Sequence, residues 1–356
     1  MSKNDIDYLI IGQGISGSFL SYYLYKAEKN IIVIDEAKPF TATKIASGVI
    51  NPVTGRRVVQ TWLIDDIMPF AWQAYTELGK EINANLISQC NVLSFHGNEQ
   101  MQRAFEDRSI DENKYLKKPA NIDALKNYFN FYFGVGETNP CYLADMQTLL
   151  SGWKNFLLNK NLLIEEKFDA TKLTIQNTNS ITYKNITAQK IIFCDGIEGT
   201  RNSFFQLLPF AKNKGEALIA EIPDLPRNNI FKQNLTIVPW KENLFWIGSQ
   251  YEWNYSDANP SATFKLKAMM QLQQWLKLPF KIVDHWAAER PANIERRPFV
   301  GLHPQQPAVG ILNGMGTKGC SLAPYFAWEL TQHLINQTPI NPLANIARFS
   351  TILSRN

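Results

Sequence analysis

Gly12, Gly14 and Gly17 stand in a Gly-x-Gly-x-x-Gly spacing between two apolar runs, Tyr8-Leu9-Ile10-Ile11 and Ile31-Ile32-Val33-Ile34, and the second run ends on Asp35. These residue types at this spacing make a socket for the ADP half of a dinucleotide. Gly12 permits a sharp turn off a strand, Gly14 lets backbone approach a pyrophosphate, and Gly17 lets the next helix pack closely on the sheet. Ile15 and Ser16 open that helix. Its positive end and unpaired N–H groups favour phosphate, while Asp35, with Glu36 beside it, is placed to accept from ribose hydroxyls. The competing reading is a glycine-bearing strand-to-helix turn without a ligand. Near the other end of the chain, Asn313-Gly314-Met315-Gly316-Thr317-Lys318-Gly319-Cys320 leads into a helix with apolar positions at Leu322, Phe326, Leu330 and Leu334. A helix start rich in small residues suits a ligand with electron-rich oxygen or nitrogen, and the pyrimidine edge of a reduced flavin is one. Here the plain alternative is a loop that only caps a packed helix.

The elements that must position these loops recur along the chain. Ile191-Ile192-Phe193-Cys194 runs into Asp195-Gly196, and Val309-Gly310-Ile311-Leu312 runs into Asn313-Gly314. Ligands of open parallel sheets sit at the carboxyl ends of strands, so three remote loops converge on one cofactor if these runs are neighbours. Between them the texture changes. Leu235 to Trp240 and Leu244 to Gln250 predict an antiparallel hairpin, and Phe264, Ala268, Leu272 and Trp275 predict a helix. The expected fold is α/β: a Rossmann-like dinucleotide-binding domain from discontinuous segments (1–80, 142–210 and 286–356), plus an inserted α+β substrate domain with a mostly antiparallel sheet (81–141 and 211–285).

A chain of 356 residues, 45% hydrophobic and 19% charged, is long and apolar enough for two associated domains. Its formal charge of +4 is too slight over this length to indicate nucleic acid. No apolar run reaches membrane-spanning length without glycine or charge, and Lys3 and Asp5 lead directly into the first strand, which argues against a cleaved leader. Cys90, Cys141, Cys194 and Cys320 form no Cys-x-x-Cys pair, and His96, His285, His303 and His333 make no ligand spacing with them. A reduced, cytoplasmic protein without a structural metal is expected.

Six ordered features resemble the FAD-dependent D-amino-acid oxidase superfamily, which includes glycine oxidase and sarcosine oxidase. They are the first turn with Asp35; Ala46-Ser47-Gly48-Val49-Ile50-Asn51-Pro52; Lys214-Gly215-Glu216; Val238-Pro239 through Ile247-Gly248-Ser249; Glu289-Arg290-Pro291 followed by Arg297-Pro298-Phe299-Val300-Gly301; and Gly314 to Pro324. The similarity runs nearly end to end, although Glu295-Arg296 replaces the family's Asp-Gly. The resemblance implies FAD held without a covalent link, with Ala46, Ser47 and Gly48 passing along it and Asp195, Gly196, Gly314, Gly316, Thr317, Lys318 and Gly319 contacting it. It also implies a reaction: a small-molecule amine or amino acid gives a hydride from its α-carbon to flavin, and the resulting imine is hydrolysed.

The protein's share of that chemistry is orientation, and a guanidinium can fix a carboxylate through two parallel N–H bonds. Arg290 matches the family arginine in that role; an interdomain salt bridge is its structural alternative. Tyr251 and Trp246 are candidates to close the pocket over the flavin face. Arg56 and Arg57 are candidates for a second anion contact, suited to a substrate with an extra carboxylate, or are solvated loop charge. Lys318 either opposes charge on the reduced ring or is exposed. Cys320 reads as a packed residue and His303 as a turn residue. Oxygen and a quinone or carrier protein both remain open as electron acceptor. The alternatives to amine oxidation are an oxidase acting on a modified tRNA base and a flavin-dependent hydroxylase or reductase.

Overall fold

The computed structural model describes residues 5–55, 58–110 and 114–355. The strand Asp5–Ile11 lies inside an eight-stranded sheet, and Ile31–Asp35 and Ile186–Phe193 pair with it in parallel on either side. Leu163–Glu165 extends the sheet beyond Ile31–Asp35, and Val309–Asn313 pairs in parallel with the end of Ile186–Phe193. Strands from the N-terminal, middle and C-terminal parts of the chain therefore end side by side, as the repeated apolar runs predict. Their near-continuous Ile and Val content suits strands covered on both faces: Leu9, Ile10, Val33, Ile191, Ile192 and Ile311 are fully buried.

On one face, the helices Ile15–Lys26, Ile64–Glu81, Met146–Asn159 and Gly319–Asn336 share a core that includes Phe19, Tyr75, Trp153 and Phe326. Its two largest polar-tipped side chains have partners: Trp153 Nε1 donates to Ser21 Oγ at 2.8 Å, and the Tyr75 hydroxyl donates to the Cys320 carbonyl at 2.8 Å. On the other face, Phe193, Phe205, Phe299, Phe349 and Leu353 close a second core.

A second eight-stranded sheet has the strand order Lys281–Arg290, Asn213–Glu221, Leu244–Gly248, Thr236–Pro239, Asn229–Lys232, Asn91–Phe95, Val135–Thr138, Leu116–Lys117. All its pairings are antiparallel except that of Asn229–Lys232 with Asn91–Phe95. The expected hairpin is present, with Val238 opposite Trp246. The helix Ala262–Trp275 lays Phe264, Ala268, Leu272 and Trp275 on one face of this sheet, against Leu218, Phe231, Phe245 and Ile247. The strand Lys281–Arg290 belongs to this sheet along its whole length, so residues 286–290 sit here rather than with the parallel sheet. No helix among the described residues is long and apolar enough to cross a membrane.

The first turn is held by two glycines in contact. Gly12 has φ +101°, and a Cβ built on Gly17 would sit 1.8 Å from the Gly12 carbonyl oxygen, so any side chain at 17 forces helix and strand apart. Gly17→Ala is expected to lower unfolding free energy by about 3 kcal/mol, at the upper end for an overpacked position. Urea denaturation checks this, and a variant as stable as the parent would show that the helix shifts freely.

Candidate active site

The carboxyl ends of the parallel strands and the free face of the second sheet enclose a cavity of about 1440 Å³. Single ligand sites commonly measure about 300 to 1,000 Å³, so this one has room for a large cofactor and a second molecule. Gly12, Gly14, Ile15, Ser16, Asp35 and Glu36 line it, as do Ala46, Ser47, Gly48, Asp195, Gly196, Gly316, Thr317, Lys318 and Gly319. Gly17 and Gly314 serve from behind, Gly17 against Gly12 and Gly314 against Phe299 and Asn293. Arg290 and Tyr251 line the cavity too, so the remote stretches singled out in the sequence do meet. Arg56 and Arg57 lie outside the described residues.

The dinucleotide end fits an ADP moiety. Gly14 caps the helix Ile15–Lys26 without a side-chain bond, and a Cβ there would meet only Thr43 Oγ1 at 3.4 Å, so the backbone is open to a phosphate. Thr43 Oγ1 accepts from the Ile15 N–H at 3.2 Å. Asp35 is aimed by two backbone donors, Gln13 N–H at 3.2 Å and Ala37 N–H at 3.0 Å, which leaves lone pairs for ribose hydroxyls. Thr43 escapes the glycine spacing because only the tertiary fold places it over that helix.

The loop from Gly314 to Gly319 is tied to the segment that follows Arg290. The Gly316 N–H donates to the carbonyl of Pro291, the residue after Arg290, at 3.3 Å. Asn293 Nδ2 donates to the carbonyls of Gly314 at 2.8 Å and Arg297 at 2.7 Å. Lys318, open in the sequence to simple exposure, is half-buried: its Nζ donates to the Asn51 carbonyl at 3.3 Å, and loss of solvent, with Lys232 nearby, pulls its pKa down to about 8.

Arg290 reaches from its edge strand across Gly215, where a Cβ would stand 1.7 Å from Nη2. Nη1 is committed to Asn213 Oδ1 at 2.9 Å and the Gln250 carbonyl at 3.1 Å. Neither Nη2 nor Nε has an acceptor, and no acid pairs with the group, among the described residues. Burial lowers the guanidinium pKa without discharging it. A half-buried cation on a cavity wall with no acid beside it suits an anion. The Tyr251 ring lies 5.2 Å from Arg290 Cζ and is 59% exposed, so it stands at the mouth. Trp246 is buried instead: it lies across Gly248 and donates from Nε1 to the Ile45 carbonyl at 2.9 Å, which makes it a wall and a tie between the two sheets. His303 Nδ1 accepts from Gln305 and Gln306 N–H groups, as befits a turn residue.

Asp195 is half-buried on the cavity wall and accepts from Asn313 Nδ2 at 2.9 Å and Asn202 Nδ2 at 3.2 Å. Burial outweighs these bonds and raises its pKa to about 7. The two cysteines on the wall, Cys194 and Cys320, are kept neutral by burial, Cys320 pushed up to about 12.

Residues 7–333 match the DAO family, described as FAD dependent oxidoreductase. The chain is 22% identical to glycine oxidase of Bacillus subtilis (strain 168), over 94% of each protein. Its fold is similar to that of glycine oxidase from Geobacillus kaustophilus, with a TM-score of 0.78 and 15% identity over 98% of both chains. It is also similar to that of iminodiacetate oxidase from Chelativorans sp. BNC1, with a TM-score of 0.75 and 16% identity over 96% of this chain and 98% of that one.

A carboxyl raised by burial favours the fold in its protonated form, so its contribution is full in acid and is lost as pH rises through 7. The stability of the ligand-free protein should therefore fall between about pH 4 and 7, and Asp195→Asn should flatten that fall. Urea denaturation at several pH values reads it, and equal slopes for both proteins would remove Asp195 as the cause.

Proposed function

We propose that this chain, which belongs to the FAD dependent oxidoreductase family, oxidises a small amine or amino acid whose carboxylate is held by Arg290. One observation carries the proposal: Arg290 is a half-buried cation on the cavity wall with no acidic partner among the described residues and with Nη2 and Nε uncommitted. The curated relative is a glycine oxidase and one structural neighbour an iminodiacetate oxidase, so amine oxidation at a carbon next to a carboxylate is the reaction class they suggest.

The Gly12 to Gly17 turn and Asp35 would hold the ADP portion of FAD, and Ala46 to Gly48 with Gly316 to Gly319 would hold its ring end. Neutral buried thiols at Cys194 and Cys320 are poor nucleophiles, which favours FAD held without a covalent link. When bound, FAD supplies the acceptor for the hydride of the substrate α-carbon, and the amine becomes an imine that water hydrolyses. The protein contributes position. Arg290 sets the carboxylate, its own orientation being set by Asn213 and Gln250, and the wall of Trp246 and Gly248 limits how the α-carbon lies. Tyr251 stands where a closing aromatic would exclude water.

Anaerobic addition of amino acids to the FAD-loaded protein is expected to bleach the flavin, and the speed of recolouring in air distinguishes oxygen from a quinone or carrier as acceptor. Arg290→Ala should weaken binding of carboxylate substrates by about 100-fold while FAD stays bound, whereas Asp35→Ala should lose FAD. Photometric titration measures both, and undiminished substrate affinity in Arg290→Ala removes Arg290 from the site.

A further inference from the structure

The same cavity holds more positive charge than one carboxylate requires. Lys232, the last residue of the strand Asn229–Lys232, and Lys318, just before the helix Gly319–Asn336, both line it. One lies on the second sheet and the other in the loop after Val309–Asn313, yet they lie close enough for the charge of Lys232 to act on Lys318. Neither forms an ion pair among the described residues. Lys318 uses one donor on the Asn51 carbonyl, and the Lys232 ammonium has no hydrogen-bond partner among the described residues. The one titratable side chain that both sense, the Cys141 thiol, is kept neutral by burial, pushed up to about 12, and so supplies no counter-charge.

The fully buried lysine of the second sheet is paired with acids. Lys214 lies 3.4 Å from Glu216 and 3.5 Å from Glu252. An ammonium taken out of water without such a partner costs several kcal/mol, and two side by side add mutual repulsion. The arrangement is consistent with an anion arriving from outside the chain.

The sheet register says where that anion would lie. Lys232 pairs with Thr236, Thr236 with Gly248, and Gly248 with Ala217, whose strand also carries Gly215 under the Arg290 guanidinium. Three strand spacings, roughly 14 Å at the backbone, separate Lys232 from the strand under Arg290. The cavity between them has Gly248 and Thr236 in its floor. A ligand lying across this floor meets a cation at each end.

We propose that Lys232, with Lys318, binds a second anionic group of the substrate, so that the molecule oxidised here is an amine or amino acid with two acidic groups. This rests on the amine-oxidation reading, and two measurements separate the two ideas. In the first, the FAD-loaded protein is titrated with unreactive acids, glutarate against butyrate, and the perturbed flavin spectrum gives the affinity. Glutarate should bind about ten-fold more tightly than butyrate. Lys232→Met should abolish that preference while leaving butyrate affinity and FAD content unchanged, and Lys232→Arg should retain it. In the second, anaerobic reduction is compared for the enantiomers of glutamate and aspartate, for iminodiacetate, and for alanine and glycine. The diacids should reduce the flavin at lower concentration, an advantage that Lys232→Met loses. Equal binding of glutarate and butyrate, or a preference that survives in Lys232→Met, overturns the second anion site. A lowered flavin midpoint potential in Lys232→Met with diacid binding intact also overturns it, because the lysine would then serve the ring. Selective glutarate binding without bleaching by any amine keeps the anion site and overturns amine oxidation.

Discussion

Two missing side chains on one sheet face make the site. Gly215 and Gly248 lie on neighbouring strands, and each is overlaid by a large side chain that a Cβ would displace, Arg290 across Gly215 and Trp246 across Gly248. Lying flat, Arg290 reaches the Gln250 carbonyl and Trp246 reaches the Ile45 carbonyl beside the Ala46 to Gly48 segment. The first contact aims a cation, and the second joins the antiparallel sheet to the dinucleotide-binding half. Because both depend on van der Waals clearance rather than on charge, the geometry is present before any ligand arrives.

Charge balance is the second constraint. Elsewhere the fold pairs some of its buried and half-buried cations with acids, Lys214 with Glu216 and Glu252 and Arg348 with Glu295, and meets Lys190 with the Asn179 side chain and the Pro307 carbonyl. On the cavity wall it leaves Arg290, Lys232 and Lys318 without acids among the described residues. Such groups oppose folding by desolvation, and anionic ligands relieve that opposition by binding the native state alone. A site rich in unpaired cations and a stability that rises with ligand are the same property described from two sides.

The period and spacing of residues were enough to read much of the architecture. The Ile and Val runs at 8–11, 31–34, 191–194 and 309–312 are strands of one sheet, the hairpin around Lys241-Glu242-Asn243 pairs as its alternation implies, and Phe264 to Trp275 is a helix on its apolar side. These features depend on neighbours a few residues away, which a linear text records. The end of the second sheet was not legible. Nothing local distinguishes residues 286–290 from the segment that follows, and it is pairing with Asn213–Glu221 that holds them.

For the site, the chain alone determined the pieces that act through backbone: glycines where chain meets chain or ligand, an acid at the end of a strand, and an arginine in a motif of matching order. Only the tertiary structure decided what each charged side chain faces. Lys318 moved from an open question to a half-buried group bonded to the Asn51 carbonyl, Trp246 from a lid to a wall, and Lys232, with no motif around it, onto the cavity surface. The reason is physical. Backbone conformation is a local property of a few adjacent residues, whereas the solvation and pairing of a charge depend on every element packed around it, and those elements are brought together only when the two sheets close on one another.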